Sequence, residues 1–235
     1  MRVLSDRTQG RAYTRSMAAA RSALQVAETP EHRWPALAAV VVAVVIYTFL
    51  PPSFIGVPRW ILPVVTTLMA IPLILLNPHH FTRETRWSRW ISISLTVVLV
   101  GFNQVEVVGI FRELLSGSAH GPTVLLNSAQ VWATDIIAFG LAYWELDGRG
   151  PVSRRLPADP EARDFRFPQE DLGRPVPWRP AFFDYLYFSL SNMIAFSPTD
   201  VMPFTIRAKA LMALQAITGF GLLALVIARA VNILT

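Results

Sequence analysis

From residue 34 onward the chain is written in long apolar blocks separated by short polar stretches. The blocks run from Ala36 to Leu50, Trp60 to Leu76, Trp90 to Leu115, Pro122 to Leu146 and Phe204 to Asn232. A bilayer core takes ~20 helical residues at ~1.5 Å each, so these blocks predict five membrane-spanning helices. The first gains length, to about Ile55, if Pro51-Pro52 lie at the interface. Pro63 and Pro72 are tolerated in the second where neighbouring helices or waters satisfy the freed carbonyls.

One apolar block breaks the pattern. Phe182 to Phe196 is aromatic and amphipathic, too short to cross a bilayer and of the right size for a half-helix. Ser197-Pro198-Thr199-Asp200 and then Pro203 end it, because a proline lacks an N–H and clashes with the preceding turn. The expected fold class is an all-α membrane protein with about five transmembrane helices plus one re-entrant pore-type half-helix before the last span. Residues 1–33 form a polar arm, 34–146 four transmembrane helices, 147–180 a polar linker rich in proline, arginine and acids, and 181–235 a pore-like module. No internal repeat is evident, so an inverted-repeat transporter is not expected.

Composition sharpens this reading. Hydrophobic residues make up 53% of the chain, and charge is confined to a few blocks, which argues against a soluble domain. There is no cysteine, which excludes disulfides and thiolate metal sites. The net charge of +5 is carried by arginine, since Lys209 is the only lysine. Those arginines flank apolar spans, where the positive-inside rule accounts for them without nucleic acid as a partner. The first apolar run begins after Arg33-Trp34-Pro35 and has no small-residue cleavage pattern behind it, so it reads as an anchor rather than a signal peptide. The arm before it reads as a disordered cytoplasmic segment or, over Tyr13 to Val26, a helix lying on the membrane.

Arginines also set the expected orientation. The arm, the 77–89 loop and the long linker hold nearly all of them, whereas the other side holds only Arg59 and Arg112, so the amino terminus is expected in the cytoplasm. Either the half-helix then enters from the cytoplasmic side, or the span count is off by one.

Polar side chains within the spans are the next signal, since a charge at membrane depth costs at least a few kcal/mol and is seldom there without a partner. Glu106 in the third block and Arg229 in the last fall toward the face opposite the half-helix, either as partners or with Arg229 reaching the headgroups. Asp135 in the fourth block lies at about the depth of the half-helix tip. There it would accept a hydrogen bond from Asn192 or Ser191 as structural glue, or line a cation path. Phe182, Phe183, Tyr185, Tyr187 and Phe188 read as an interfacial aromatic belt.

The break Ala195, Phe196, Ser197, Pro198, Thr199 and Asp200 presents hydroxyls and a carboxylate. These either line a pore mouth, where the negative end of the half-helix favours a cation, or cap the next helix. Phe196 is a gate or a core side chain. His79-His80 lacks a third ligand at metal spacing and reads as an interfacial loop, so neither a metal nor a cofactor is expected. No Ser-His-Asp, phosphate-loop or His-Glu-x-x-His pattern is present, and enzymatic activity is not expected.

Residues 182–232 resemble the pore module of the potassium-channel superfamily. Leu186-Tyr187-Phe188-Ser189 is similar to the start of its pore helix, Asp200 to the acid after the filter, Pro203 to the proline three places later, and Gly219 and Gly221 to hinge glycines of the inner helix. Where that family has Thr-Val-Gly-Tyr-Gly, this chain has Ala195-Phe196-Ser197-Pro198-Thr199. Proline fixes φ near −65° where glycine reaches positive φ, so a potassium-coordinating backbone is not expected. The FxDYLYFS, FSxxD and IAxxVN signatures also resemble an uncharacterised family of bacterial integral membrane proteins related to that module. The resemblance implies a multi-pass protein of the inner (plasma) membrane, a homotetramer, and an ion-channel-like function that is not potassium-selective, with a permeant inorganic ion and lipid as partners. The alternative is a non-conducting membrane scaffold or sensor that keeps the fold and binds a partner through its linker or arm.

Overall fold

The computed structural model describes residues 34–49, 60–76, 86–116, 121–155, 163–172, 178–194 and 201–234. The chain is mostly helical: α1 (Trp34–Phe49), α2 (Ile61–Leu76), α3 (Arg86–Ser116), α4 (Gly121–Leu146), β1 (Phe165–Arg166), α5 (Phe182–Ile194), β2 (Met202–Pro203) and α6 (Ile206–Leu234). Three helical stretches are long and apolar enough to cross a membrane: Arg89–Leu115, Val124–Arg149 and Ile206–Arg229. α1 and α2 are apolar but have 16 residues each.

α4 is the hub. It packs against α1, α3, α5 and α6, and buries 61% of its apolar window, against 22% for α6. That difference follows from position: α4 is enclosed by protein, while α6 turns Ile217, Phe220, Ile227 and Val231 outward. The pairs Ser92–Glu145 and Asn103–Asp135 fix α3 and α4 as antiparallel neighbours.

α4 stops at a run of left-handed backbone. Gly148, Arg149 and Gly150 have φ of 56°, 62° and 99°, which ends the helix as an αL cap does. A Cβ at Gly148 would lie 2.6 Å from Arg154 Cγ, so the turn closes tightly on that arginine. The chain then passes through 3-10 turns at Ser153–Arg155 and Pro168–Asp171. Ion pairs Arg163–Glu170 and Arg166–Asp171 brace the second turn. Burial pushes the Glu170 carboxyl up, and Arg163 opposes the shift.

The stretch read as a linker is therefore folded where it is described. β1 pairs antiparallel with β2, Phe165 opposite Pro203 and Arg166 opposite Met202. Phe165 enters the core, with ring centroids 5.3 Å from Tyr143 and 5.2 Å from Phe188.

α5 starts with a reciprocal cap: Asp184 Oδ2 accepts the Ala181 N–H at 2.7 Å, and the Asp184 N–H donates to the Ala181 carbonyl at 2.9 Å. The expected aromatic belt needs correction. Only Phe183 and Tyr187 face outward, whereas Phe182, Tyr185 and Phe188 are buried. They recur every third residue, which aligns them on one face of the helix, and that face packs on Tyr143, Trp144 and Phe167.

Candidate functional site

Three linked groups of polar contacts run through the bundle, and the first centres on Asp135. Asp135 Oδ1 accepts Asn103 Nδ2 at 2.6 Å and Gln104 Nε2 at 3.1 Å. Asn103 Oδ1 in turn accepts the hydroxyls of Tyr47 at 2.9 Å and Thr134 at 2.8 Å. Gln104 Oε1 accepts the Thr218 hydroxyl at 2.9 Å. One carboxylate thereby joins α1, α3, α4 and α6. Its other oxygen, Oδ2, is buried with no hydrogen-bond partner among the described residues.

The expected bond from Asn192 or Ser191 to Asp135 is not formed. Asn192 Nδ2 reaches Tyr143 OH at 3.2 Å, the Met212 carbonyl at 3.0 Å and Gln215 Oε1 at 3.0 Å, and Ser191 donates to the Tyr187 carbonyl. Asn192 belongs to the second group. Tyr143 OH donates to Gln215 Oε1 at 2.6 Å, Gln215 Nε2 to Ser189 Oγ at 2.7 Å, and Ser189 Oγ to the Ile136 carbonyl at 2.7 Å. Tyr143, Gln215 and Ser189 are satisfied along this chain, which suits polar glue between α4, α5 and α6. Asn192 ends up there because α5 approaches α4 and α6 through this face, while Asp135 looks across to α3.

The third group lies at the end of the bundle where α4 finishes. Asp147 Oδ1 accepts the backbone N–H of Asp164 at 2.9 Å and of Phe165 at 3.1 Å, and Oδ2 accepts Tyr185 OH at 2.5 Å. Asp164 then holds Arg207 in a two-bond fork, Nε and Nη2 each at 2.7 Å, and accepts the Thr205 hydroxyl at 2.5 Å. Arg154 covers the Tyr185 ring at 5.0 Å and donates to the Trp144 and Asp147 carbonyls.

Gly219, on α6, meets the tip of α5: a Cβ there would sit 2.3 Å from the Met193 carbonyl oxygen. Gly221 lies against the Phe111 ring. Glu106 is buried on α3, and the antiparallel register carries it level with Val131 of α4. Pairing of Glu106 with Arg229, one of the two readings offered by the sequence, is not favoured by the helix register. Arg229 lies some 15 Å along α6 from Gly219, near the helix end. Glu106 is only one turn from the Asn103 level, which is too far up the bundle to meet it.

Several candidates fall outside the described residues: Ala195, Phe196, Ser197, Pro198, Thr199 and Asp200 of the break, the His79-His80 loop, and the 1–33 arm. Among the described residues no group of three or more His, Cys, Asp or Glu is placed to hold a metal ion.

Among the described residues, further buried oxygens without a hydrogen-bond partner include Asn127 Oδ1, Ser128 Oγ and Gln130 Oε1 on α4, Thr66 Oγ1 on α2 and Gln169 Oε1. Each such atom costs about 1–3 kcal/mol if it is left dry. On the other side of the network, a cavity of about 470 Å³ lies between α3, α4 and α6. Arg89, Glu145 and Arg207 stand at its α4-terminal end, Val97 and Leu214 are among its walls, and Gln104 also lines it.

Comparison with known protein families, with curated proteins and with solved structures finds no match to this chain.

Proposed function

We propose that this protein is an ion-channel-like integral membrane protein in which α5 is a re-entrant half-helix and Asp135 is the central polar group. The observation that carries the reading is the path of the chain around α5. Its first turns are tied to the end of α4, through Tyr185 to Asp147 and Phe182 to Trp144. Its last turn packs Met193 on Gly219, ~20 Å along α6 from Ile206. By Met202–Pro203 the chain pairs with β1, whose Phe165 N–H is bonded to the same Asp147. A segment that leaves and returns to one end of a bundle, with its tip at mid-depth, is the form in which backbone is tolerated inside a membrane when it lines a cavity.

On this reading α1 and α2 complete a five-span topology in an inner membrane, with the amino terminus and the clasp around Asp147 in the cytoplasm. The outward apolar face of α6 is the surface available to lipid or to further copies in a homotetramer. Degeneracy at Ala195 to Thr199 argues for a cation path without potassium selectivity.

Cation flux into liposomes carrying the purified protein tests the proposal. Flux above that of empty liposomes, reduced by Asp200→Ala or Phe196→Ala, supports it. Absent flux, or flux indifferent to both changes, removes the break from the mechanism. Reporter fusions within 147–179 test the orientation separately.

A further inference from the structure

We infer that the amino-terminal half of α4 lines a water-filled access path, confined within one protomer, that brings a small cation to Asp135 Oδ2. This deepens the channel-like reading and rests on it only for the direction of transport. Asn127, Ser128, Gln130, Thr134 and Asp135 fall on one side of α4 at 100° per residue and extend over ~12 Å. Asn127, Ser128, Thr134 and Asp135 are buried, so this side faces protein and not lipid, while Leu126, at its edge one turn before Gln130, is 59% exposed.

Four of these residues present an oxygen without a hydrogen-bond partner among the described residues: Asn127 Oδ1, Ser128 Oγ, Gln130 Oε1 and Asp135 Oδ2. Thr134 does not, because its hydroxyl donates to Asn103 and to backbone carbonyls. Buried polar atoms left unsatisfied by protein are where internal water is found, since each water there makes two to four hydrogen bonds. The contrast with the Tyr143–Asn192–Gln215–Ser189 chain is informative. That chain is just as buried, and the buried side-chain oxygens of Tyr143, Gln215 and Ser189 all have partners.

The path ends at Asp135 because the protein holds its two oxygens differently. Oδ1 is occupied by two amide donors, which fixes the carboxylate and leaves Oδ2 as its oxygen with no partner among the described residues. A lining whose free acceptors are hydroxyl, amide and carboxylate oxygens selects a hard cation, a proton or an alkali metal ion, over a soft one. Glu106, level with Val131 by the antiparallel register, is a second buried acid on the neighbouring α3. Beyond Asp135, Gln104 separates this half from the mainly apolar cavity under Arg89 and Arg207.

The chain has no cysteine, so a single introduced thiol reports without background. Asn127→Cys, Ser128→Cys and Gln130→Cys are expected to react with a charged, membrane-impermeant methanethiosulfonate from the α4 amino-terminal side. Their rates are expected to be about tenfold or more above that of lipid-facing Leu126→Cys, because the reactive thiolate forms only in water. Ala138→Cys, past Asp135, is expected to stay silent. Ser128→Cys is nearly isosteric and keeps the test open if the amide replacements misfold. Reaction at all three sites no faster than at Leu126→Cys overturns the path.

For the terminus, a hydrophobic carbodiimide is expected to label Asp135 in the unaltered chain. Loss of labelling as pH rises assigns a proton. Loss on adding sodium chloride at fixed pH assigns an alkali cation. No labelling under any condition overturns the cation site. If the thiols react while liposomes show no flux, the channel-like reading fails and the access path stands. Flux with unreactive thiols overturns the path and leaves the channel-like reading in place.

Discussion

Gly219 of α6 lies directly against the Met193 carbonyl oxygen at the tip of α5, with 2.3 Å between that oxygen and the position a Cβ would take. Only a residue without a side chain lets the two helices meet there, since the obstacle is backbone and cannot rotate away. Gly219→Ala is expected to destabilise the α5–α6 contact by about 1–3 kcal/mol. At Gly221 the obstacle is the far end of the Phe111 ring, and at Gly101 there is nothing within 4 Å. Thermal unfolding in detergent is expected to rank the alanine variants Gly219 well below Gly221, with Gly101 unchanged; equal losses at all three would mean that the contact with Met193 does not matter.

Asp135→Asn and Asp135→Leu are expected to separate charge from hydrogen bonding. Asparagine still accepts from Asn103 and Gln104 and removes a buried charge, so stability is expected to hold or rise. Leucine strands both amide donors, at about 1–3 kcal/mol each. A melting temperature lowered equally by the two variants would argue that the charge itself holds the four helices.

At the clasp, the two partners of one ion pair are expected to be unequal. The Asp164 side chain is fully buried and that of Arg207 is 55% exposed. Arg207→Ala leaves a buried carboxylate with Thr205 and no cation, whereas Asp164→Asn keeps the Thr205 bond and frees a solvated arginine. Hydrogen exchange at the Phe165 and Phe204 amides is expected to accelerate more in Arg207→Ala than in Asp164→Asn.

Glu170 gives the clasp a pH dependence of known sign. Burial raises its folded carboxyl above the ordinary value of 4.5, so the folded form binds the proton more tightly than the unfolded one. Its contribution is fully present below the ordinary carboxylate range and is lost as pH climbs through the folded value. Wild-type stability minus that of Glu170→Gln is expected to fall from mildly acidic to neutral pH; a flat difference would mean that Arg163 fully offsets the burial.

What was legible beforehand was whatever interrupts an apolar run. Asp135, Asn192 and Gly219 stand out in the sequence because each is improbable where it sits, and all three are contact points in the fold. Their partners were not legible, since which turn of α3 faces which turn of α4 depends on register between helices and not on local pattern. Asn103 and Gln104 gave a weak signal as adjacent amides in a span. Asp147 and Asp164 gave none: in a stretch crowded with arginine and proline they look like solvated linker acids, and a two-residue strand has no periodicity to read. The aromatic belt failed for a related reason, because interfacial and core aromatics share a composition and differ only in helical phase.

The single carboxylate of Asp147 also makes one mechanical unit out of parts far apart in the chain. It grips the backbone of β1 with one oxygen and α5 with the other, while β1 is hooked through Asp164 to the first turn of α6. Residues 163–172 are thereby coupled, through one carboxylate, to the helix whose far end rests on Gly219.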